Sequence, residues 1–295
     1  MLWGAVTVVF VALRVLPADP AQLILGPEAT AEQIANLRAQ MNLDEPVLVQ
    51  YAAYLRGVAT GDFGVSYRLN VPAMDLVLER FPATAALATA AMLLAVVLGL
   101  ALGVVSALRV NRPSDRAISV VSLAMQSLPQ FWIGLVLILV FARALKLLPS
   151  GGNETPAHYI LPAVTLSLTF MALLTRLTRS GLLEVINEGY IQTARAKGLN
   201  ESTVIYPHAI RNALIPIVTV VGLQSGQLLG GAVIVETVFA WPGVGRLLIE
   251  AMSNRDYDVV QASVVFIAAV FVLINLVVDL LYGVLDPTIR LEGKK

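Results

Sequence analysis

Apolar residues run almost unbroken through five long stretches of the chain, 83–108, 117–148, 159–183, 213–239 and 259–285. Each matches or exceeds the roughly 20 residues that an α-helix needs to cross a bilayer, so each predicts a membrane-spanning helix. A sixth stretch, Leu2 to Leu16, is apolar apart from Arg14 and falls short of a full crossing. No basic segment precedes it, and Pro17-Ala18-Asp19-Pro20 is a poor cleavage site, so it reads as a first span rather than a removable leader. Its shortness leads to the expectation of a longer native amino terminus. The stretch 117–148 is longer than a straight crossing requires, which predicts a tilt or a break near Pro129. The fold class is all-α and polytopic, with six transmembrane helices.

Between the first two spans the pattern turns polar. Thr30 and Gln33 have the spacing of a capping box for a helix to about Gln40, and a second helix is predicted from Pro46 to about Val58. Gly61-Asp62-Phe63-Gly64 reads as a turn, and Ala73 to Phe81 as a short amphipathic helix that stops at Pro82. The chain thus divides into a first span at 1–16, a helical loop at 17–82, a membrane core at 83–285 and a tail at 286–295.

Composition agrees with the pattern. Hydrophobic residues make up 57% and charged residues only 14% of the 295 residues, with a mean hydropathy of +0.78, against roughly a quarter charged in soluble domains. A net charge of zero carries no nucleic-acid footprint. The absence of cysteine excludes disulfides, thiolate metal sites and thiol nucleophiles. Lysine and arginine set the orientation. Eleven lie on the side that holds Arg109, Arg112, Arg116, Arg176, Arg179, Arg195, Lys197, Arg211 and the tail, against four in the opposite short loops. That side is therefore expected to face the cytoplasm, together with both termini, leaving the 17–82 loop outside.

One inner loop, 184–212, is long enough to be gripped by a partner. Glu188 to Lys197 has no helix breaker and ends in Arg195 and Lys197, basic side chains suited to the negative end of a helix. Gly198 follows where a left-handed residue closes a helix, and Leu199 supplies the apolar residue that usually comes next. Asn200 is placed to start a second helix, with Glu201 at its positive end and a helical pattern from Thr203 to Arg211. No phosphate loop, zinc-protease motif or serine elbow occurs, so no catalytic residue is expected and ATP binding would fall to another chain.

The helix-glycine-helix arrangement resembles the cytoplasmic coupling loop of the inner-membrane permeases of ATP-binding cassette importers. Thr193-Ala194-Arg195-Ala196-Lys197-Gly198-Leu199, with His208, Arg211-Asn212-Ala213 and Pro216, is similar to the dipeptide and oligopeptide branch. Gln192, Thr193 and Ile210-Arg211 depart from the broad family pattern, Gln192 standing where a glutamate is usual. The resemblance extends to Glu236-Thr237-Val238-Phe239, Pro242-Gly243-Val244-Gly245, Asn254-Arg255-Asp256-Tyr257, the tail 286–290, and Arg14, Pro17 and Asp19-Pro20. It implies that Tyr190, Ile191, Thr193, Ala194, Arg195, Ala196, Lys197, Gly198 and Leu199 form the ATPase-coupling surface. The implied partners are a second homologous permease, two ATPase subunits carrying ATP and Mg, and an extracytoplasmic solute-binding protein. The cargo would be dipeptides or oligopeptides, moved by ATP-driven alternating access across a bacterial or archaeal inner membrane.

Polar groups within the spans offer two readings each. Gln126, Ser127 and Gln130 flank Pro129, and Gln224, Ser225 and Gln227 share the fifth span; they line a translocation path or hydrogen-bond between helices. Gly222, Gly226 and Gly230 make a smooth stripe for close packing inside one chain or at a subunit seam. Asn275 and Asp279, one turn apart, are expected to form a structural anchor with an arginine such as Arg176 rather than a proton relay. An ion-coupled carrier would need more intramembrane charge than Asp279. Within the importer class nickel is the alternative cargo, weakly disfavoured because no metal-ligand cluster lines a span.

Overall fold

The computed structural model describes residues 2–15, 21, 25, 29–40 and 43–285. Among these the regular structure is helical; a single antiparallel bridge pairs Val65 with Pro72. The chain forms two compact units, one from residues 1–84 and 242–273, the other from 85–241 and 274–295.

In the first unit, α1 (Leu2–Val15) meets α3 (Val47–Thr60) through Phe10, whose ring stands edge-on to Tyr51 at 4.9 Å, and through a 2.7 Å hydroxyl contact between Thr7 and Tyr51. Between them α2 (Ala31–Gln40) starts with the predicted capping box: the Thr30 amide donates to Gln33 Oε1 at 2.9 Å, and the Gln33 amide donates to Thr30 Oγ1 at 3.3 Å. Helix α3 closes on Gly61 at φ 76°, and Gly64 at φ 85° completes the expected turn. The apolar core gathers Phe63, Val77, Val244, Val259 and Ala262.

The helix expected to stop at Pro82 does not stop. It forms the first part of α4 (Ala73–Leu108), 36 residues long with Pro82 inside it. A proline costs one hydrogen bond and a local clash. Here both flanks are held, Phe81 against Phe266 at 5.0 Å and Thr84 Oγ1 accepting the Val244 amide at 2.9 Å. Helix α10 (Val244–Asn254) ends on Arg255 in the left-handed region, and α11 (Tyr257–Leu285) follows. Ser66 Oγ donates to Asp256 Oδ2 at 2.5 Å and Tyr67 donates to the Asn254 carbonyl, so the Asn254-Arg255-Asp256 stretch ties the loop before α4 to this turn.

In the second unit the expected break is present. Helix α5 (Pro113–Ser127) and α6 (Gln130–Leu137, continued as a π-helix over Ile138–Ala144) are bent by 110° where Leu128 and Pro129 adopt extended backbone. Helix α7 (Ala157–Ile186) is the most enclosed of the long helices, and α8 (Gly189–Ala196) and α9 (Ile215–Val238) follow. Gly99 and Gly103 lie one turn apart on α4 and let it touch α7. A Cβ at Gly99 would fall 2.8 Å from Leu174 Cβ and 3.0 Å from the Met171 carbonyl, and one at Gly103 would collide with Thr178.

By length and apolarity three described helices can cross a membrane: α4, α7 and Tyr257–Leu280 of α11. A fourth crossing results if α5 and α6 are one broken span; Leu2–Ala12 is apolar but shorter. These criteria give fewer crossings among the described residues than the six expected.

Candidate functional site

The elbow around Gly198 is built from local rules. Helix α8 begins after Glu188, which holds extended backbone at ψ 146°, and ends at Lys197. Gly198 at φ 78° then donates to the Arg195 carbonyl at 2.9 Å, while the Leu199 amide reaches back to the Ala194 carbonyl at 3.4 Å. These are the paired bonds of a Schellman closure, which satisfies carbonyls the helix would otherwise leave open. A Cβ on Gly198 would meet no atom within 4 Å, so its backbone angle, not space, selects glycine.

Asn200 stands at the start of the next helix with extended backbone, although its side chain makes no capping bond. The helical turn Glu201–Thr203 leads into a π-helix, Val204–Ile210, and then Arg211–Ala213. Across the elbow Arg195 reaches Glu201 with two bonds, Nη2 to Oε1 at 2.6 Å and Nε to Oε2 at 3.2 Å. That hydrogen bond holds the Glu201 carboxyl below its usual range.

The nine coupling residues divide between anchor and surface. Ile191 is 0% exposed, packed among Ala107, Leu182, Val204, Ala209 and Ala213, with Ala194 against the same cluster. Tyr190 is exposed, its hydroxyl accepting from Asn212 Nδ2 at 2.8 Å, which links the start of the loop to its end. Thr193, Arg195, Ala196, Lys197, Gly198 and Leu199 are exposed. The helix is thus fixed by one face and open on the other. The side chains of His208 and Pro216, and all of Pro17, Asp19, Pro20 and the tail 286–295, lie outside the described residues, as does the side chain of Arg14.

Of the six candidates for a polar path, the structure brings three together. Gln130, Gln224 and Gln227 line one cleft of about 140 Å³, with Leu166, Thr169, Phe170, Leu228 and Gly231. Gln130 Nε2 donates to the Thr165 and Leu166 carbonyls at 3.3 Å each, fixing its amide, and its Oε1 lies 3.2 Å from where a Cβ on Gly231 would stand. Ser127 and Ser225 instead donate to carbonyls one turn back, those of Leu123 at 3.0 Å and Val221 at 2.8 Å. Gln126 does not line the cleft, and its amide nitrogen is buried without a partner among the described residues.

Gly222 packs against Val278 within the chain, whereas Gly230 meets nothing within 4 Å. Asp279 and Arg176 are both exposed, and no ion pair joins them among the described residues. An ion pair with a buried carboxylate lies elsewhere. Asp115, its side chain 4% exposed, accepts Arg179 Nε at 2.7 Å and Nη2 at 3.0 Å, Ser106 Oγ at 2.5 Å and the Asn111 amide at 2.9 Å. Sequence reasoning missed this pair and the Gly99-Gly103 contact. The glycine spacing was visible, but a carboxylate in an arginine-rich loop reads as solvated.

Residues 99–291 match the family described as binding-protein-dependent transport system inner membrane component, and residues 1–88 match its N-terminal membrane component. The chain is 41% identical over 318 residues to the dipeptide transport system permease protein DppB of Alkalihalophilus pseudofirmus, covering 98% of this chain and 96% of that protein. It is 44% identical over 282 residues to the glutathione transport system permease protein GsiC of Escherichia coli (strain K12), covering 96% and 92%. The Salmonella choleraesuis protein of the same name gives the same identity and coverage.

Proposed function

The chain belongs to the family of binding-protein-dependent transport system inner membrane components and is a peptide-type permease of an ATP-binding cassette importer, and we propose that it forms half of a peptide pathway worked by alternating access. Its relatives are named for dipeptide and glutathione transport, and small peptides are the cargo proposed here. The observation that carries the mechanism is the elbow: α8 is anchored through Ile191 and leaves Thr193, Arg195 and Lys197 exposed around it. An exposed helix rooted in packed membrane helices is what a cytoplasmic ATPase pair needs in order to move them. ATP-driven closure of two partner ATPases draws this helix along, and the rigid closure at Gly198 passes the movement into α7 and α9.

A second homologous permease and an extracytoplasmic binding protein complete the assembly, with six spans and both termini in the cytoplasm. ATP and Mg reside on the ATPase subunits; this chain supplies no ligand to them. The cleft of Gln130, Gln224 and Gln227 supports a path that meets peptide backbones with amide groups. Such groups pair with any peptide bond and hold no particular side chain. Asn275 and Asp279 are proposed as an anchor for α11, with the partner of Asp279 supplied from outside the described contacts.

The test is uptake. In proteoliposomes holding the complete assembly, the Gln130→Leu/Gln224→Leu double variant is expected to slow import of a radiolabelled dipeptide while ATPase pull-down stays at the wild-type level. Wild-type uptake in that variant would return both side chains to helix packing.

A further inference from the structure

We infer that the Asp115–Arg179 pair is a lock that makes α4, α5 and α7 move as one body with the coupling helix α8; this rests on the importer reading above. The carboxylate is fully engaged. Arg179 of α7 meets it through a two-pronged contact at 2.7 and 3.0 Å, Ser106 of α4 donates at 2.5 Å, and the Asn111 amide closes the α4–α5 loop onto it at 2.9 Å. Asn111 takes a left-handed backbone at φ 65° to deliver that amide. One carboxylate therefore ties three elements together.

Stability alone is a poor account of such a pair. Taking the Asp115 carboxylate out of water offsets much of what the attraction of Arg179 returns, and apolar replacements of buried ion pairs are often as stable. What a forked guanidinium–carboxylate contact supplies is direction, because both bonds hold only in one relative placement of the two helices. Its position makes that direction useful. Arg179 lies about two turns before the end of α7 at Ile186, and α8 begins at Gly189. Beside it Gly103 lets α4 touch α7 at Thr178, and a little further on Ala107 of α4 and Leu182 of α7 enclose Ile191 of α8. A swing of α8 and α7 away from α5 has to break both charge-assisted bonds, so displacement at the elbow is delivered to α4, α5 and α7 together. Asp115 and Arg179 are positioning residues for coupling, and neither touches cargo.

The chain has no cysteine, so with partner subunits freed of theirs the labels attach only where cysteine is introduced. Spin labels at Val120→Cys on α5 and Glu184→Cys on α7, both exposed, are placed in the complete assembly in lipid nanodiscs. The expected result is one inter-label distance that is unchanged between the nucleotide-free and the ATP–vanadate-trapped states, and that shifts or broadens between them when Arg179→Gln is added. In parallel, import of dialanine or glutathione per ATP hydrolysed should fall well below the wild-type ratio in Asp115→Asn and in Arg179→Gln. The Asp115→Arg/Arg179→Asp exchange should recover part of it. A wild-type distance that changes between the two states overturns the lock, and so do single variants that keep the wild-type ratio. If the single variants do not assemble, Ser106→Ala, which removes one bond and leaves the ion pair, must lower the ratio at normal assembly; an unchanged ratio there also overturns it. Failure of the wild-type assembly to import either probe counts against the importer reading, while the label distances still decide the lock.

Discussion

Gly198 is the position where backbone geometry alone dictates the residue. With φ at 78° and open space around a would-be Cβ, Gly198→Val costs about 1–2 kcal/mol of left-handed strain with no clash to relieve. Amide protection in α8 is expected to fall about tenfold, since 1.4 kcal/mol corresponds to that factor, and hydrogen exchange on the 189–198 segment measures it. Arg195 and Glu201 act on the same angle from the surface. Glu201 is exposed, and the Arg195 hydrogen bond holds its carboxyl below the usual range. A group whose pKa falls on folding contributes while ionised, so this contribution is complete above the ordinary carboxylate range and is lost as the pH drops through the lowered value. Protection factors at the elbow, corrected for the intrinsic pH dependence of exchange, should therefore be flat around neutral pH and fall only under acid conditions. Arg195→Glu would set two carboxylates face to face, and the Arg195→Glu/Glu201→Arg exchange is expected to restore α8 protection. No recovery there would mean that Arg195 does not act through Glu201. The glycine was legible in the sequence because its rule is local. Its ionic partner was not, because nothing in the spacing of Arg195 and Glu201 says that the chain folds back across the elbow.

Among the elements, α4 and α7 approach closely at Gly99 and Gly103. Gly103→Leu would drive a side chain into Thr178 and the Thr175 carbonyl, and over-packing of this kind costs about 1–3 kcal/mol. Thermal unfolding in detergent should show a lowered transition for Gly103→Leu and little change for Gly230→Leu, where the added atoms meet open space. An unaffected Gly103→Leu would mean that this approach carries no packing. The break between α5 and α6 was legible because Pro129 interrupts an apolar run too long for one crossing. The continuation of α4 through Pro82 was not, because a proline ends a helix only where nothing holds the two sides in line. Phe81–Phe266 and Thr84–Val244 do hold them, and both contacts come from residues about 160 or more positions away. The capping box at Thr30 and Gln33 involves neighbours only, and the sequence showed it directly.

Across the whole molecule, what could be read early was whatever depends on composition or near neighbours: the apolar runs, the polar loop, the elbow. What could not be read depends on long-range placement. Gln130 and Gln224 share a cleft only because α6 and α9 meet beside Leu166 and Gly231, and Asp115 is buried and paired only because α4, the α4–α5 loop and α7 converge on it. These residues all bear on one claim, that an exposed helix anchored by Ile191 and angled by Gly198 carries the work of separate ATPases into the membrane helices. The most direct measurement is ATP hydrolysis by the complete reconstituted assembly, with and without loaded binding protein, for wild type and Gly198→Val at equal permease content. The account predicts that Gly198→Val assembles normally and loses most of the stimulation by binding protein, with uptake falling alongside it. Full stimulation and full uptake in Gly198→Val would contradict it, and would leave the elbow as a connection between spans.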